Sequence, residues 1–413
     1  MPKPSASSAK HAQPSLKLSP RGVARLQGRH PWAYRSDLIV EKEKDIPPGA
    51  MVRVFEAREK GERGKFLGTA LYSSSSQIAI RMISHGSVAD LPALIAERIR
   101  AAIAYRHSLV AHTDAYRVVF SEADFLPGLI VDRYSDVLSV QILTQAMDSA
   151  PVREVMVQTL RKENALTPAG IIERVDPRIR DLEQLPPRPS GLLFGDKTST
   201  QINMNGIRFL YDGLEGQKTG AFLDQRENYA AAARYAHGEA LDVFCYQGGF
   251  ALHLALDPSA KCSSVIGVDS SRPALEMAEK NAALNGREME WIEANAFDLL
   301  REYSAADRQY DTIVLDPPAF AKSKRDLEKA LRGYKELNLR ALKMLRPGGI
   351  LVTCSCSFHV SPADFMGVVA DAARDARKDL RVVESRGAAK DHPILLNVPE
   401  TSYLKCLIAY VSN

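Results

Sequence analysis

Asp316 and Cys356 are the two residues whose side chains could carry out chemistry at the ends of predicted strands. Asp316 opens the sequence DPPAF, in which two consecutive prolines hold the backbone extended where a substrate group would lie. Cys356 lies in the sequence CSCS, directly after an apolar run. A deprotonated thiol is a strong nucleophile, and a carboxyl group can donate or accept a proton. From the residues alone, Cys356 is open to two interpretations, a nucleophile or a small buried side chain.

Three predicted strands end in an acidic residue, and their ends define a ligand crevice. The first strand leads into Asp242, the second ends at Asp269 and the fourth ends at Asp316. Because strands alternate with helical stretches, we expect a parallel sheet that binds its ligands at the carboxyl ends of the strands. The sequence therefore predicts an α/β domain, with seven strands and a closing hairpin.

The turn after the first strand indicates the kind of ligand. Gly248 and the glycine after it permit a close turn beside Phe244, but the spacing is not the Gly-x-Gly-x-x-Gly of dinucleotide sites. Asp269 could accept hydrogen bonds from ribose hydroxyls, and Asn295, after the third strand, could meet an adenine edge. Together with Asp242, these residues indicate an adenosine ligand without phosphates, S-adenosylmethionine. A helix cap is the alternative role for Asp269, because a proline-containing helix start follows it.

The composition limits the class of protein. The chain has 413 residues, 45% of them hydrophobic and 25% charged, which is typical of a globular protein with two or three domains. It contains no apolar run of about 18 residues and no secretory signal, so we expect a cytoplasmic protein without a membrane segment. Its five cysteines are too few and too scattered for a disulfide framework or a zinc site, so we predict no bound metal.

Positive charge is concentrated at the N-terminal end. Residues 1–90 carry 15 Lys and Arg against 8 Asp and Glu, whereas the remainder carries 39 against 42. The sequence RHPWAY contains Arg29, His30 and Trp32, and Arg81 follows in a later strand of the same unit. Arginines interleaved with aromatic rings suit phosphate contacts and stacking on unpaired bases, so these four residues are candidates for RNA binding. The alternative is a merely basic surface, with Trp32 packed inside a barrel.

Changes of pattern along the chain predict four segments. Residues 1–14 are polar and rich in Ser and Pro, which is typical of a disordered tail. Residues 15–88 contain short alternating strands and fit a small all-β barrel. A helical connector and a mixed α/β module follow over residues 89–210, and residues 211–413 hold the sheet with the ligand crevice.

The order of the motifs along the chain resembles one known family. The markers are RHPW at 29–32, LPGLIVD at 126–132, GQKTG at 216–220, FLDQR at 222–226, DPPAF at 316–320, RGYK at 332–335 and SCS at 355–357. Over nearly the whole length they resemble the bacterial large-subunit ribosomal RNA cytosine-C5 methyltransferases that carry an N-terminal PUA domain. The resemblance implies a PUA barrel, a central RNA-binding α/β module and a class I, Rossmann-like methyltransferase domain that uses S-adenosylmethionine.

The resemblance also implies roles for individual residues. Cys356 matches the family's nucleophile, which would add to C6 of the cytosine, and Asp316 would engage N3 and the exocyclic amine beside the cofactor. Cys354, two residues earlier on the predicted strand, should be structural. The partner would be large-subunit ribosomal RNA, and a homodimer is compatible with the resemblance. The segment from Gln217 to Arg226 would fold over the cofactor and bring to it Phe222, Asp224, Gln225 and Arg226.

Three points stay open at this stage. Many RNA cytosine-C5 methyltransferases carry a second cysteine after the motif proline, whereas Ala319 stands here, as in the family's single-cysteine members, and the acceptor of the C5 proton is not evident. The Asp-Pro-Pro-aromatic pattern is also similar to that of enzymes that methylate nitrogens of ribosomal RNA guanines without a thiol. The third alternative is a non-catalytic RNA-binding protein with a degenerate methyltransferase fold.

Overall fold

The computed structural model describes residues 13–39, 46–58, 64–214, 221–321 and 323–412. Most of the predicted tail, residues 1–12, and the motif at residues 216–220 lie outside the described residues. Within them, the chain forms three successive sheets and one hairpin. No helix of the described ranges combines the length and the apolar character needed to cross a membrane.

The first unit is a six-stranded sheet with one helix. Its strand order is β2-β6-β5-β4-β1-β3, and it buries side chains such as Val52 and Ile80. The prediction of an all-β unit missed the helix, although Ser19 caps it and Pro20 opens it, both of which are helix-start signals. The elements are β1 (Ser15–Leu18), α1 (Pro20–Gln27), β2 (Trp32–Ala33), β3 (Leu38–Ile39), β4 (Met51–Glu56), β5 (Phe66–Tyr72) and β6 (Ile80–Ser84).

The middle of the chain forms a helical connector and a five-stranded sheet. The elements are α2 (Leu91–Leu109), β7 (Ala115–Phe120), β8 (Leu129–Tyr134), β9 (Val137–Ile142), α3 (Ala150–Lys162), β10 (Gly170–Glu173), α4 (Pro177–Leu182) and β11 (Gly191–Gly195). Helices α2 and α3 pack apolar side chains, among them Ile99 and Met156, against the sheet. Its order is β11-β10-β9-β8-β7, so β7 is an edge strand.

A hairpin joins this module to the C-terminal part. It consists of β12 (Ser199–Met204) and β13 (Ile207–Asp212), and Asn205 and Gly206 between them both have positive φ, as a tight type I′ turn requires. Apolar side chains of the hairpin share one cluster with Tyr134 of the central sheet and Leu252 of the C-terminal part. The hairpin therefore fixes the two parts against each other.

The C-terminal part is a seven-stranded sheet between two layers of helices. The elements are α5 (Arg226–Tyr235), β14 (His237–Val243), α6 (Gly249–Leu256), β15 (Lys261–Asp269), α7 (Arg272–Leu284), β16 (Glu290–Glu293), α8 (Ala296–Ala305), β17 (Tyr310–Leu315), α9 (Leu327–Met344), β18 (Leu345–Ser355), α10 (Pro362–Ala376), β19 (Asp379–Arg386) and β20 (Lys405–Ser412). The order is β16-β15-β14-β17-β18-β20-β19, and β20 alone among them runs antiparallel to both neighbours. This confirms the predicted α/β fold.

Two apolar clusters explain why the sequences of the central strands are almost entirely apolar. Leu241 and Ile313 pack with α8, α9 and α10 on one face, whereas Ala240 and Val314 pack with α5 and α6 on the other. Because both faces are covered, successive residues of each strand are buried, and only the strand ends reach a crevice. The sheet thereby places the chemistry-bearing residues at one edge.

Candidate active site

The turn between β14 and α6 has a strained backbone. Phe244, Tyr246 and Gly248 have φ values of 68°, 49° and 86°, in the left-handed region that side chains other than glycine rarely adopt. A Cβ atom at Gly248 would lie 3.0 Å from the Trp291 ring, so both space and conformation select glycine there. Strain of this kind concentrates at ligand sites.

Asp242 lies just before this turn and is fully buried. Its Oδ2 accepts a hydrogen bond of 2.8 Å from the Ala251 amide of α6, whereas its Oδ1 is buried without a partner in the described chain. Burial raises the pKa of Asp242 to about 8, although the Ala251 amide opposes the shift. A buried carboxyl group with one oxygen that has no partner in the protein can form a hydrogen bond with a ligand.

Asp269 ends β15, and each of its carboxylate oxygens accepts a backbone hydrogen bond of 2.9 Å, from Tyr246 and from Ser271. The cap of α7 is Ser271, so the alternative role of Asp269 as a helix cap is wrong. Both oxygens of Asp269 keep capacity for a hydroxyl donor. Asn295 caps α8 with its Oδ1, which accepts from the Phe297 amide at 2.9 Å. A contact of Asn295 with adenine stays a prediction and would use its NH2 group.

Asp316 follows β17 and is held through a series of amide groups. Gln225 Nε2 donates to Asp316 Oδ1 at 2.9 Å. Gln225 Oε1 in turn accepts from Asn228 at 2.7 Å, and Asn228 Oδ1 accepts from Arg386 at 2.8 Å. Burial raises the pKa of Asp316 to about 7, and the charge of Asp224 adds to the shift. A large fraction of this carboxyl group is therefore protonated at neutral pH and can donate a hydrogen bond.

The described part of the segment predicted to cover the cofactor, residues 221–226, lies at the same edge. Phe222 packs its ring edge-on against Tyr246, with 5.1 Å between the ring centroids. Asp224 Oδ2 accepts a hydrogen bond of 2.5 Å from the Tyr403 hydroxyl. Phe222 therefore borders the strained turn, whereas Asp224 is bound to the chain just before β20. Their contacts with a cofactor stay predictions.

Arg226 forms a structural ion pair, and its contact with a cofactor stays a prediction. Its side chain is buried, and Nη2 lies 3.2 Å from Asp391 Oδ1, in the loop between β19 and β20. Asp391 Oδ2 accepts from the backbone amide of Arg117 in edge strand β7 at 2.8 Å. Arg106 of α2 donates to the Asp391 carbonyl at 2.9 Å. Arg226 thus joins its segment to the central module, because Asp391 contacts both.

Cys356 follows β18 and is half-buried, with Sγ 3.9 Å from the carbonyl oxygen of Pro317. Because Pro317 directly follows Asp316, the two predicted catalytic residues lie on neighbouring loops of the sheet edge. Cys354 is fully buried opposite Cys406 of β20, and burial raises its pKa well above the ordinary value. This geometry agrees with the structural role predicted for Cys354.

Arg29 and His30 line a cavity of about 590 Å³ in which three parts of the chain meet. Arg98 of α2, Phe125 and Leu395, from the loop before β20, line other walls of it. The Phe125 side chain is 58% exposed. Basic groups beside an exposed ring are the elements that stacking and phosphate contacts require, so the RNA-binding prediction for Arg29 and His30 keeps its basis.

Trp32 and Arg81 are engaged between modules. Trp32 Nε1 donates to Glu122 Oε1 at 3.0 Å, and its side chain is half-buried. Arg81 is 8% exposed and forms an ion pair of 3.1 Å with Glu183. An arginine that is buried and paired in this way cannot reach a phosphate without breaking the module contact, which corrects the RNA-binding prediction for Arg81. Trp32 is thus not packed inside the barrel, and its stacking on unpaired bases stays a prediction.

Comparison with known proteins places this site in a family. The profile of S-adenosylmethionine-dependent methyltransferases matches residues 155–409, and that of the PUA-like domain matches residues 16–85. The chain belongs to the S-adenosylmethionine-dependent methyltransferase family. S-adenosylmethionine is accordingly the cofactor of this methyltransferase.

Relatives match the methyltransferase over its whole length. Ribosomal RNA large subunit methyltransferase I of Shewanella denitrificans is 38% identical, and that of Shewanella amazonensis is 39% identical. Each alignment covers 96% of this chain and 99% of the relative. The crystal structure of SMU.776 complexed with SAH superposes with a TM-score of 0.79 at 18% identity, covering 96% of this chain and 100% of that one. The structural likeness supports the shared fold.

The donor and acceptor groups at the edge of β14 and β15 fit this cofactor. Asp269 offers carboxylate oxygens to ribose hydroxyls, and the buried Oδ1 of Asp242 can accept a further hydrogen bond. The turn at Gly248 lets the backbone approach the ligand closely. We therefore expect these residues of the methyltransferase, with Phe222 beside them, to hold the cofactor.

Sequence reasoning missed three residues of the methyltransferase, two beside Asp224 and Cys356 and one that binds Arg226. Tyr403 and Lys405 belong to the last strand region, and Asp391 lies in the loop before it. A signal was available for Lys405, because it is a charged residue inside the otherwise apolar run LKCLIAYV. Asp391 had none, since its partners lie in distant parts of the sequence.

Proposed function

We propose that this methyltransferase methylates C5 of a cytosine in large-subunit ribosomal RNA through a covalent bond between Cys356 and C6. The observation that carries the proposal is the thiol of Cys356 lying 3.9 Å from the Pro317 carbonyl, beside Asp316. Relatives named ribosomal RNA large subunit methyltransferase I, at 38% and 39% identity, support the RNA substrate.

Cys356 and Asp316 have different roles in the proposed reaction. The thiolate of Cys356 bonds to C6, and the C5–C6 π electrons move to C5. The protonated carboxyl of Asp316 donates a hydrogen bond to N3, and its second oxygen accepts one from the exocyclic amine. When bound, S-adenosylmethionine would supply a methyl group on a positively charged sulfur. The electron pair at C5 would form the bond to this methyl carbon while the carbon–sulfur bond breaks and its electrons stay on the sulfur, so that S-adenosylhomocysteine would be the leaving group. After a base removes the C5 proton, the C5–C6 double bond re-forms and expels the Cys356 thiolate.

The target nucleotide must leave its stack to reach this recess, so the RNA has to be held beside it. The cavity lined by Arg29, His30 and Arg98 supports a path for the RNA from the PUA-like domain. We expect RNA affinity to fall steeply with salt, and Arg29→Ala to reduce the slope of log K against log salt by about 1. A salt-independent affinity of the wild-type protein would contradict this path.

The test of the reaction compares two neighbouring thiols. Mapping of 5-methylcytosine in ribosomal RNA, from cells with the wild-type gene or with Cys356→Ala, should show one site lost in the variant. Cys354→Ala is the matched control and should retain the modification, because the Cys354 thiol is fully buried opposite Cys406 and is not accessible to a base. Normal methyl transfer by Cys356→Ala would exclude C5 chemistry and favour methylation of a nitrogen.

The non-catalytic alternative makes a separate prediction. A degenerate fold would not bind S-adenosylmethionine, so calorimetry of the full chain with the cofactor should show no heat of binding. We expect saturable binding instead, because Asp242, Asp269 and the turn at Gly248 retain the features of a ligand site. The absence of any heat of binding would favour the alternative.

A further inference from the structure

Lys405 lies across the sheet from the candidate nucleophile. It opens β20, and its Cα is paired with that of Ser355 in the antiparallel register of β18 and β20. Ser355 is the last residue of β18 and directly precedes Cys356. The start of one strand therefore lies beside the end of the other, where the thiol is.

The ammonium group of Lys405 is bound to the peptide that carries the thiol. Nζ donates to the carbonyl oxygen of Ser357 at 2.7 Å and to that of Tyr403 at 2.8 Å. Ser357 directly follows Cys356, so Lys405 fixes the backbone on both sides of it, through the strand register before and the hydrogen bond after. This contact restricts where Sγ can lie.

The surroundings of Lys405 lack an anion. The residue is 7% exposed, and none of the ion pairs among the described residues includes it. Buried ammonium groups are normally paired with a negative charge, because two carbonyl dipoles replace only part of the lost hydration. The positive charge of Lys405 therefore lies next to a thiol that must ionise in order to react.

We infer that Lys405 is a positioning residue that orients Cys356 and whose positive charge stabilises its thiolate. The inference deepens the proposed function and rests on it, since it concerns the same nucleophile. The thiol proton leaves to solvent, and the ammonium group keeps its own proton throughout. Lys405 acts on Cys356 and does not need to contact the cytosine.

The titratable groups around the pair are compatible with this role. Burial lowers the pKa of Lys405 to about 8, while the charge of Cys356 opposes the shift, so the amine is largely protonated at neutral pH. Tyr334 of α9 and Tyr403 also face Cys356, and burial raises the pKa of both, so both stay neutral. The charges beyond Tyr403 are those of Asp224 and Arg117, which oppose each other.

The experiment measures the ionisation of Cys356 directly. The full-length protein is treated with iodoacetamide between pH 5.5 and 10, and peptide fragment ions separate alkylation at Cys356 from alkylation at Cys354. We expect the wild-type pKa of Cys356 to lie below the ordinary value of about 8.5. Lys405→Met should raise it by about one unit and slow alkylation at pH 7 about tenfold, whereas Lys405→Arg should slow it less than about threefold. Cys262, distant in the sheet, is the internal reference.

Two outcomes would overturn the inference. One is an unchanged alkylation profile in Lys405→Met that still binds S-adenosylmethionine. The other, which holds even if that variant does not fold, is a wild-type pKa of Cys356 at or above about 8.5. Alkylation requires no methyl transfer, so the result is independent of the reaction. If the wild-type pKa of Cys356 is lowered but Cys356→Ala keeps full activity, the proposed function is wrong, whereas the effect of Lys405 on the thiol stands.

Discussion

Asp391 and Asp316 are two aspartates enclosed by protein in different regions, and their partners differ in kind. At the module interface, Asp391 faces Arg226 at 3.2 Å and His392 at 3.4 Å. Burial by itself would raise its pKa, but these charges outweigh burial and hold the pKa of Asp391 well below its usual range. At the sheet edge, Asp316 has the Gln225 amide as its partner, and burial raises its pKa to about 7.

The difference separates a carboxylate that stays ionised from a carboxyl group that titrates near neutral pH. An interface carboxylate that is matched with a cation stays ionised, and removing either partner of the buried pair is strongly destabilising. A carboxyl group held by an amide stays close to its protonation midpoint, where it can both donate to and accept from a substrate. Asp242, whose pKa burial raises to about 8, belongs to the second kind. The comparison can be tested by removing one carboxylate from each region.

The largest effect is expected at the interface. Asp391→Asn removes the nearer and more deeply buried of the two carboxylates that face Arg226 and leaves only Glu227 at 3.6 Å, so the free energy of unfolding should fall by about 3–5 kcal/mol. Denaturation by urea measures the change. The control is Arg272→Met, which breaks exposed ion pairs with Glu276 and Glu279 and should leave stability nearly unchanged. Equal losses in both variants would mean that Asp391 is no more structural than a surface charge.

At the sheet edge, the expected effect depends on pH. The folded-state pKa of Asp316, about 7, exceeds its ordinary value of 3.8, so its ionisation destabilises the fold as pH rises between these values. Asp316→Asn keeps an acceptor for Gln225 and removes the charge. Its stability relative to wild type should therefore increase from pH 4 to pH 8, by roughly 2–4 kcal/mol. Urea denaturation at several pH values measures the difference, and a constant difference would refute the raised pKa.

The smallest effect concerns a neutral contact between modules. Trp32→Phe removes the hydrogen bond from Nε1 to Glu122 and should lower the free energy of unfolding by about 1 kcal/mol. Tyr235→Phe is the matched control, because it removes the hydrogen bond to Glu384 on the outer surface and should change stability by less than about 0.5 kcal/mol. If Trp32→Phe lowered the free energy of unfolding by more than about 3 kcal/mol, this neutral contact would contribute as much to stability as the Asp391 ion pair.

The sequence predicted those parts that depend on local pattern. Asp269, Asp316 and Cys356 could be located because each follows an apolar run, and parallel strands bring their carboxyl ends to one edge. The environments of Arg226 and Arg81 could not be predicted, because their partners Asp391 and Glu183 lie 165 and 102 positions away in the chain. A basic motif predicts where positive charges lie in the sequence. Whether an acidic residue pairs with such a charge and buries it depends on the tertiary fold.

The position of β20 in the sheet has a consequence for folding during translation. The last described strand, Lys405–Ser412, is inserted between β18 and β19 rather than added at an edge. The PUA-like domain and the central module can fold while the ribosome still elongates the chain, since domains fold as units from the N-terminus. The surroundings of Cys356 are complete only after Lys405–Ser412 has left the exit tunnel. Until then β18 lacks its antiparallel neighbour, and translation that stops before Lys405 leaves the sheet unfinished beside Cys356.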